Sequence, residues 1–314
     1  MGMQVFCDLA EVEKDNKTVV TLGTFDGLHL GHQKIIKTVV EKASGIGGRS
    51  FLVTFEPHPR NVIATNYKLQ LLTTGKEKIE ILKKLGIENL LIVNFTEEFS
   101  QLSPEKFIKD FVVEGIGASS IVVGYDHHFG KGRGGDAKTL KELGKEYNFD
   151  VTAVDAFNLD DETVSSTKIR AALNEGRLSD ANKMLGRYYS FSGTVVAGDK
   201  RGRQLGFPTA NVKLDNEDKL LPALGIYVVE FFIDNKKHYG LLSIGKRPTF
   251  YNSGEIVPEV YIYNFDDDIY GENVTINMVE RIRGEEKYSS PEKLIEQMNK
   301  DKKNGLLIIE RIIN

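Results

Sequence analysis

The chain has 314 residues, of which 40% are hydrophobic and 27% charged, with 41 Lys and Arg set against 45 Asp and Glu. That length is ample for two domains with cores of their own, and the composition argues against disorder. The net charge of −4 argues against non-specific nucleic-acid binding as the main activity, so no nucleic-acid partner is expected.

In chain order, the first half alternates. β-branched runs at 18–22, 51–55, 90–95, 121–125 and 151–157 predict strands. Amphipathic patterns near 33–43, 75–85, 104–114 and 137–147 predict helices between them. Such alternation predicts an α/β domain with a parallel, Rossmann-like sheet and helices on both faces. Sites in sheets of this kind gather at the carboxyl ends of the strands, where Asp26, Glu56 and Asp126 fall.

After Ser166 the pattern changes. Two short helices are expected at 168–175 and 180–185, capped by Ser166 or Thr167 and by Ser179. From 188 to 282, strands and glycine-bearing turns predict a compact all-β domain with the character of a barrel. Helices are expected at 291–300 and 306–313, packed on its outside. The domain boundary is placed near 184–189, which gives domains 1–186 and 187–314. Cys7 is the one cysteine; it excludes an intrachain disulfide framework, fits a reducing cytoplasm, and its apolar neighbours predict a buried filler. The start lacks the features of a signal peptide and no apolar run approaches a membrane span, so a soluble cytoplasmic protein without a membrane partner is expected.

Residues 20–33 carry the first chemical signal. An apolar run stops at Gly23, a turn with Phe25, Asp26 and Gly27 follows, and His29-x-Gly31-His32 opens a helix. Strand, glycine-containing turn and helix N-terminus bind phosphate through free N–H groups and the helix dipole. Two imidazoles beside that turn can donate hydrogen bonds to a phosphoryl group as its charge redistributes. Two prolines force an extended exit from the strand ending at Thr54-Phe-Glu-Pro-His-Pro59, which taken alone reads as a rigid loop with a surface His58. Residues 124–136, Gly-Tyr-Asp-His-His-Phe-Gly-Lys-Gly-Arg-Gly-Gly-Asp, suit either a loop that closes over phosphates or a flat ring, or a plain surface loop. Ser166, Thr167, Lys168 and Arg170 stand at a helix N-terminus, where cations oppose the dipole and need an anion such as a triphosphate.

The second half carries Gly198-Asp-Lys-Arg-Gly-Arg-Gln-Leu-Gly-Phe-Pro-Thr-Ala-Asn211. Its glycines and basic groups, with Gly198 and Arg203 among them, make a loop able to wrap phosphates. Thr209 and Asn211 can offer oxygens to Mg²⁺, a hard ion that keeps water and ATP phosphates around it. Glu259 stands alone at the head of an apolar strand, as an edge carboxylate in water or as a general base.

Taken in order, these motifs resemble bacterial bifunctional riboflavin kinase/FAD synthetase. His29-x-Gly31-His32 is similar to the HxGH signature of nucleotidyltransferases, and Gly-Arg-x-Leu-Gly-Phe-Pro-Thr-Ala-Asn resembles the riboflavin kinase barrel. The resemblance implies an FMN adenylyltransferase domain followed by a riboflavin kinase domain, making FMN and then FAD from riboflavin and ATP. It further implies that His29 and His32 stabilise the transferring α-phosphoryl group. Ser166, Thr167 and Arg170 would hold the triphosphate, and Asp126 would lie by the flavin or adenosine side. Glu56 and His127 are expected on the flavin side, His127 where the family usually carries Phe. Glu259 becomes the kinase base, and Tyr261 stands where the family commonly has His. The rival readings are a single working module, a flavin-binding regulator, and a cytidylyltransferase or pantetheine-phosphate adenylyltransferase; the β domain argues against the last of these.

Overall fold

The computed structural model describes residues 2–64, 68–198, 206–246 and 256–314. Contacts divide the chain into two compact units, Met1–Ser165 and Ser166–Asn314.

In the first unit β1 (Gln4–Phe6) and β2 (Thr18–Leu22) lead into α1 (Leu30–Gly45). Then come β3 (Arg49–Glu56), α2 (Pro59–Ile63), α3 (Gly75–Lys84), β4 (Asn89–Asn94), α4 (Glu97–Ser100) and α5 (Pro104–Lys106). A π-helical run, Phe107–Ile116, continues α5. The unit closes with β5 (Ala118–Gly124), α6 (Ala137–Tyr147), β6 (Asp150–Val154) and a small hairpin of β7 (Asn158–Leu159) and β8 (Glu162–Thr163).

The six sheet strands run in the order β1-β4-β3-β2-β5-β6, and every neighbouring pair is parallel. Strand β2 is buried along its whole length, as a central strand covered on both faces must be. Alternate residues feed the two faces. Val20, Phe51, Leu91 and Ile121 pack with Ile108, Val112 and Leu140 on one side. Val19, Leu52, Leu90 and Val122 pack with Ile36, Val39 and Leu82 on the other. From β2 the chain runs outward to β3 and β4, then returns to place β5 on the opposite side of β2. Connections therefore leave β2 and β5 in opposite directions, which opens a crevice at their carboxyl ends.

In the second unit, α7 (Ser166–Asn174) and α8 (Leu178–Leu185) precede β9 (Tyr189–Val196), β10 (Thr209–Leu214), β11 (Gly225–Ile233) and β12 (Lys236–Lys246). Strands β13 (Ile256–Ile262) and β14 (Asn273–Gly284) and the helix α9 (Pro291–Ile313) complete it. The six strands form a closed antiparallel barrel, β10-β13-β12-β11-β14-β9. Along β9 burial alternates strictly, with Tyr189, Phe191 and Val195 filling the interior. Helix α8 is fixed to the barrel by Asn182, whose amide donates to the Met278 carbonyl at 3.0 Å and accepts from the Tyr189 N–H at 2.7 Å.

Three differences from the sequence expectations have physical reasons. Strand β1 is too short and too exposed to show any period; it joins the sheet edge by pairing with β4. Cys7 follows that edge strand and is exposed, which corrects the expectation of a buried filler. The two helices expected after residue 290 form one helix of 23 residues. Gly305, which interrupts the apolar pattern, is buried, and a Cβ there would collide with the Tyr263 hydroxyl and Leu241. Packing thus fixes a glycine that propensity alone would make a break. Arg283 anchors the same helix: its Nη2 lies 2.7 Å from Oδ2 of the buried Asp301.

Candidate active sites

The first site grows from the β2–α1 turn. His29 is the N-cap of α1, and its Nδ1 accepts from the His32 N–H at 3.4 Å. A neutral ring with Nδ1 accepting carries its proton on Nε2, which makes that nitrogen a donor. The His29 and His32 rings stack with centroids 3.7 Å apart, and Phe25 meets His32 edge-on at 5.1 Å. Gly31 is required by that arrangement, because a Cβ there would press on the His29 ring. Gly23 donates its N–H to the Val53 carbonyl at 3.1 Å, and a Cβ on it would meet the Phe25 ring.

The turn itself is strained. Phe25 (φ 47°) and Leu28 (φ 42°) are left-handed without being glycine, and Gly27 between them has φ 87°. Each such non-glycine residue costs on the order of 1–3 kcal/mol, so its surroundings must hold it. Burial of both side chains supplies part of the compensation. The rest comes from residues 72–78, where the sequence predicts the start of a helix but no site residue. The buried Asp26 accepts from the N–H groups of Leu72 at 3.2 Å and Thr73 at 2.9 Å. Gly27 donates its N–H to Thr73 Oγ1 at 3.0 Å. Lys78, buried on α3, donates to the Thr24 carbonyl at 2.8 Å and to Thr54 Oγ1 at 3.0 Å. Burial pushes the Lys78 ammonium below its usual range, while the carboxylates of Asp26 and Glu56 pull it back up. The Thr74–Glu77 capping box at the head of α3 was a readable signal for where this helix begins. Nothing local signals that Lys78 is buried.

The residues expected on the flavin side fall at the ends of β3 and β5. Glu56 is exposed at the end of β3, and Asp126 is exposed in the turn after β5. His127 is half-buried, stacks on Phe129 at 5.8 Å, and its buried Nε2 lacks a hydrogen-bond partner among the described residues. Burial lowers its pKa to about 4, with His128 and Arg133 adding to the effect, so the ring is neutral at pH 7. Phe129 is itself buried against Phe107 and roots the loop in the core.

Residues expected at the triphosphate, Ser166, Thr167, Lys168 and Arg170, lie in the first turns of α7, in the second unit. Thr167 and Lys168 are exposed; Ser166 and Arg170 are half-buried.

The second site lies on the outer face of the barrel. Asn211 on β10 stands directly opposite Glu259 on β13, and Thr209 opposite Tyr261, so all four share one face. Thr209 Oγ1 donates to Glu259 Oε2 at 3.4 Å. Ser243 on β12 flanks Glu259 from the other side. Asn211 is buried, and its amide packs so closely on Gly198 that a Cβ there would overlap it. Arg203 lies outside the described residues. Tyr261 is enclosed by aromatic edges, Phe207 at 5.6 Å and Tyr263 at 5.5 Å, with the Lys302 ammonium 5.2 Å from its ring centre. The donor set around Thr209, Asn211 and Glu259 is all oxygen with one charge, which fits an ion that keeps waters and nucleotide phosphates as its other ligands.

Comparison with known proteins identifies the family of both halves of the chain. A family model described as FAD synthetase matches residues 11–168, and one described as riboflavin kinase matches residues 185–308. The chain is 40% identical over 292 residues to a bifunctional riboflavin kinase/FMN adenylyltransferase of Listeria monocytogenes, covering 92% of each chain. It is 34% identical over 284 residues to a protein of the same name from Escherichia coli K12, covering 90% of each. A crystal structure from Streptococcus pneumoniae, described as a macrolide-efflux protein, superposes with a TM-score of 0.87 at 30% identity, covering 96% of this chain and 98% of that one. Among the described residues here, no helix is long and apolar enough to cross a membrane.

Proposed function

The chain belongs to the bifunctional riboflavin kinase/FMN adenylyltransferase family, and from that premise we propose which residues carry each of its two reactions. The enzyme phosphorylates riboflavin with ATP to give FMN and ADP. It then transfers AMP from a second ATP to FMN, giving FAD and pyrophosphate.

In the kinase reaction Glu259 accepts the proton of the ribityl 5′-hydroxyl as that oxygen attacks the γ-phosphorus of ATP and the bond to ADP breaks. The Thr209 hydroxyl, donating to Glu259, orients the carboxylate. Thr209 and Asn211 would hold Mg²⁺, which supplies neutralisation of phosphate charge when bound. Gly198 and Arg203 serve the nucleotide phosphates.

In the adenylyl transfer an oxygen of the FMN phosphate attacks the α-phosphorus, and pyrophosphate leaves. The nucleophile is already anionic, so no strong base is needed; the obstacle is repulsion between phosphates. His29 and His32 donate to the α-phosphoryl oxygens, while Ser166, Thr167, Lys168 and Arg170 hold the departing β and γ phosphates. Gly23, Phe25, Asp26 and Gly31 shape the turn that receives the nucleotide, and Glu56, Asp126 and His127 serve the flavin side. We divide the functions at residue 186, which leaves α7 with adenylyl transfer although it packs in the second unit. The start of the riboflavin kinase match at residue 185 supports this division. ATP as substrate and the single exposed thiol, Cys7, support a cytoplasmic location.

The observation that carries the adenylyl-transfer assignment is the stacked His29–His32 pair at the N-terminus of α1, where the strand order reverses. The test is a time course with riboflavin, ATP and Mg²⁺, the flavins being separated by chromatography. The wild-type enzyme should show FMN rising and yielding to FAD. His29→Ala should slow FAD formation by roughly 10²–10³-fold and leave FMN formation intact. Glu259→Gln should slow FMN formation by roughly 10²–10⁴-fold while FAD still forms from supplied FMN. Loss of both activities in either variant would overturn the two-site assignment.

A further inference from the structure

We propose that Lys78 is a positioning residue for adenylyl transfer: by clamping the Thr24 carbonyl and Thr54 Oγ1 it holds the left-handed turn that aims His29. The inference rests on the assignment of His29 to that reaction.

Thr24 is the pivot. Its carbonyl accepts from Lys78 Nζ at 2.8 Å and from Thr54 Oγ1 at 3.2 Å, while Lys78 also donates to Thr54 at 3.0 Å. These three contacts close a triangle that ties β2, β3 and α3 together just before Phe25 turns left-handed. Two residues further on, Asp26 and Gly27 are bonded to Leu72 and Thr73 in the segment that enters the same helix. The turn is therefore held just before its strained stretch by α3 and within it by the segment that leads into α3, whose start is fixed by the Thr74–Glu77 capping box.

A neutral side chain would not do this equally well. Asp26 and Glu56 both act on the Lys78 charge, so removing the ammonium takes away a cation that both carboxylates favour. The turn would then lose its donor to the Thr24 carbonyl. His29 caps α1 only five residues beyond Thr24, so a displaced turn changes the angle at which its ring meets the phosphoryl group. Misaimed donors lower the rate at the transition state more than they weaken ground-state binding.

The experiment uses the full-length enzyme with Lys78→Met, which keeps most of the unbranched side chain and removes its donors. Rates are measured with FMN, ATP and Mg²⁺ for adenylyl transfer, and with riboflavin for the kinase. The expected result is a kcat for FAD formation about 10- to 100-fold lower, with KM for FMN and ATP within threefold and FMN formation within twofold. A kcat within threefold of wild type would overturn the proposal. So would a loss carried by KM alone, which would make Lys78 a phosphate ligand instead. If thermal melting shows K78M unfolded at the assay temperature, Thr54→Val decides, since it removes one corner of the triangle and keeps the side-chain shape. A three- to tenfold fall in kcat supports the clamp, and an unchanged kcat refutes it. His29→Ala tests the underlying assignment separately: wild-type FAD formation there would remove the site from this turn whatever Lys78 does.

Discussion

Asp26→Ala gives a sharp test of whether the β2–α1 turn is held from α3 or shaped by bound nucleotide. Asp26 is 3% exposed, and its carboxylate accepts from Leu72 N–H at 3.2 Å and Thr73 N–H at 2.9 Å. Truncation leaves two buried donors without that acceptor, each costing about 1–3 kcal/mol. It also removes one of the two carboxylates that act on Lys78. Together these set the loss at about 3–5 kcal/mol for the first unit, or roughly 6–20 °C in its melting temperature at the 2–4 °C per kcal/mol expected for a domain of this size. Asp26→Asn retains one acceptor oxygen and should lose about half as much. The assay is heat inactivation of FAD formation, followed beside heat inactivation of FMN formation in the same sample. FAD formation should fail first in Asp26→Ala, while FMN formation follows its wild-type curve, because Thr209, Asn211 and Glu259 lie in the other unit. An inactivation midpoint within 2 °C of wild type, with KM for ATP raised instead, would refute this reasoning and return Asp26 to the nucleotide.

Further outcomes follow from other groups. His127 has its pKa lowered from 6.5 to about 4, so the unfolded chain takes up its proton first as pH falls. The stability this group contributes is therefore complete above pH 6.5 and is lost progressively down to pH 4, a total of about 3 kcal/mol at 1.36 kcal/mol per unit. His127→Phe keeps the stacking on Phe129 and should flatten that part of the stability–pH curve, measured by urea unfolding; an unchanged slope would count against a buried neutral ring. Asp301→Ala leaves Arg283 without its partner beneath α9 and should cost the second unit about 3–5 kcal/mol. Pairing Asp301→Leu with Arg283→Met should recover most of it, and a loss below 1 kcal/mol from the single change in urea titration would contradict the buried-pair argument.

Much of the candidate site can be proposed from the sequence because its chemistry is local. His29, Gly31 and His32 fall within one helix turn, and so do the hydroxyls and cations of residues 166–170, which makes their spacing visible in the sequence. The alternation of strand and helix was equally local, since burial on one face imposes a period on each element. Asp26 shows the limit. The sequence placed it correctly at the end of a strand, but not the two backbone N–H groups it receives from 46 and 47 residues away.

The sequence by itself determined the two fold classes, the order of the motifs and the family they resemble, because periodicity, turn chemistry and short motifs are written in neighbouring residues. Only the tertiary structure decided that Lys78 reaches Thr24, 54 residues before it, that α9 runs unbroken through Gly305, that β1 joins the sheet edge, and that Cys7 is exposed. The physical reason is common to all four. Each depends on which elements the sheet order and the barrel bring side by side, and on the burial and close approach that follow, and no local stretch of chain carries that information.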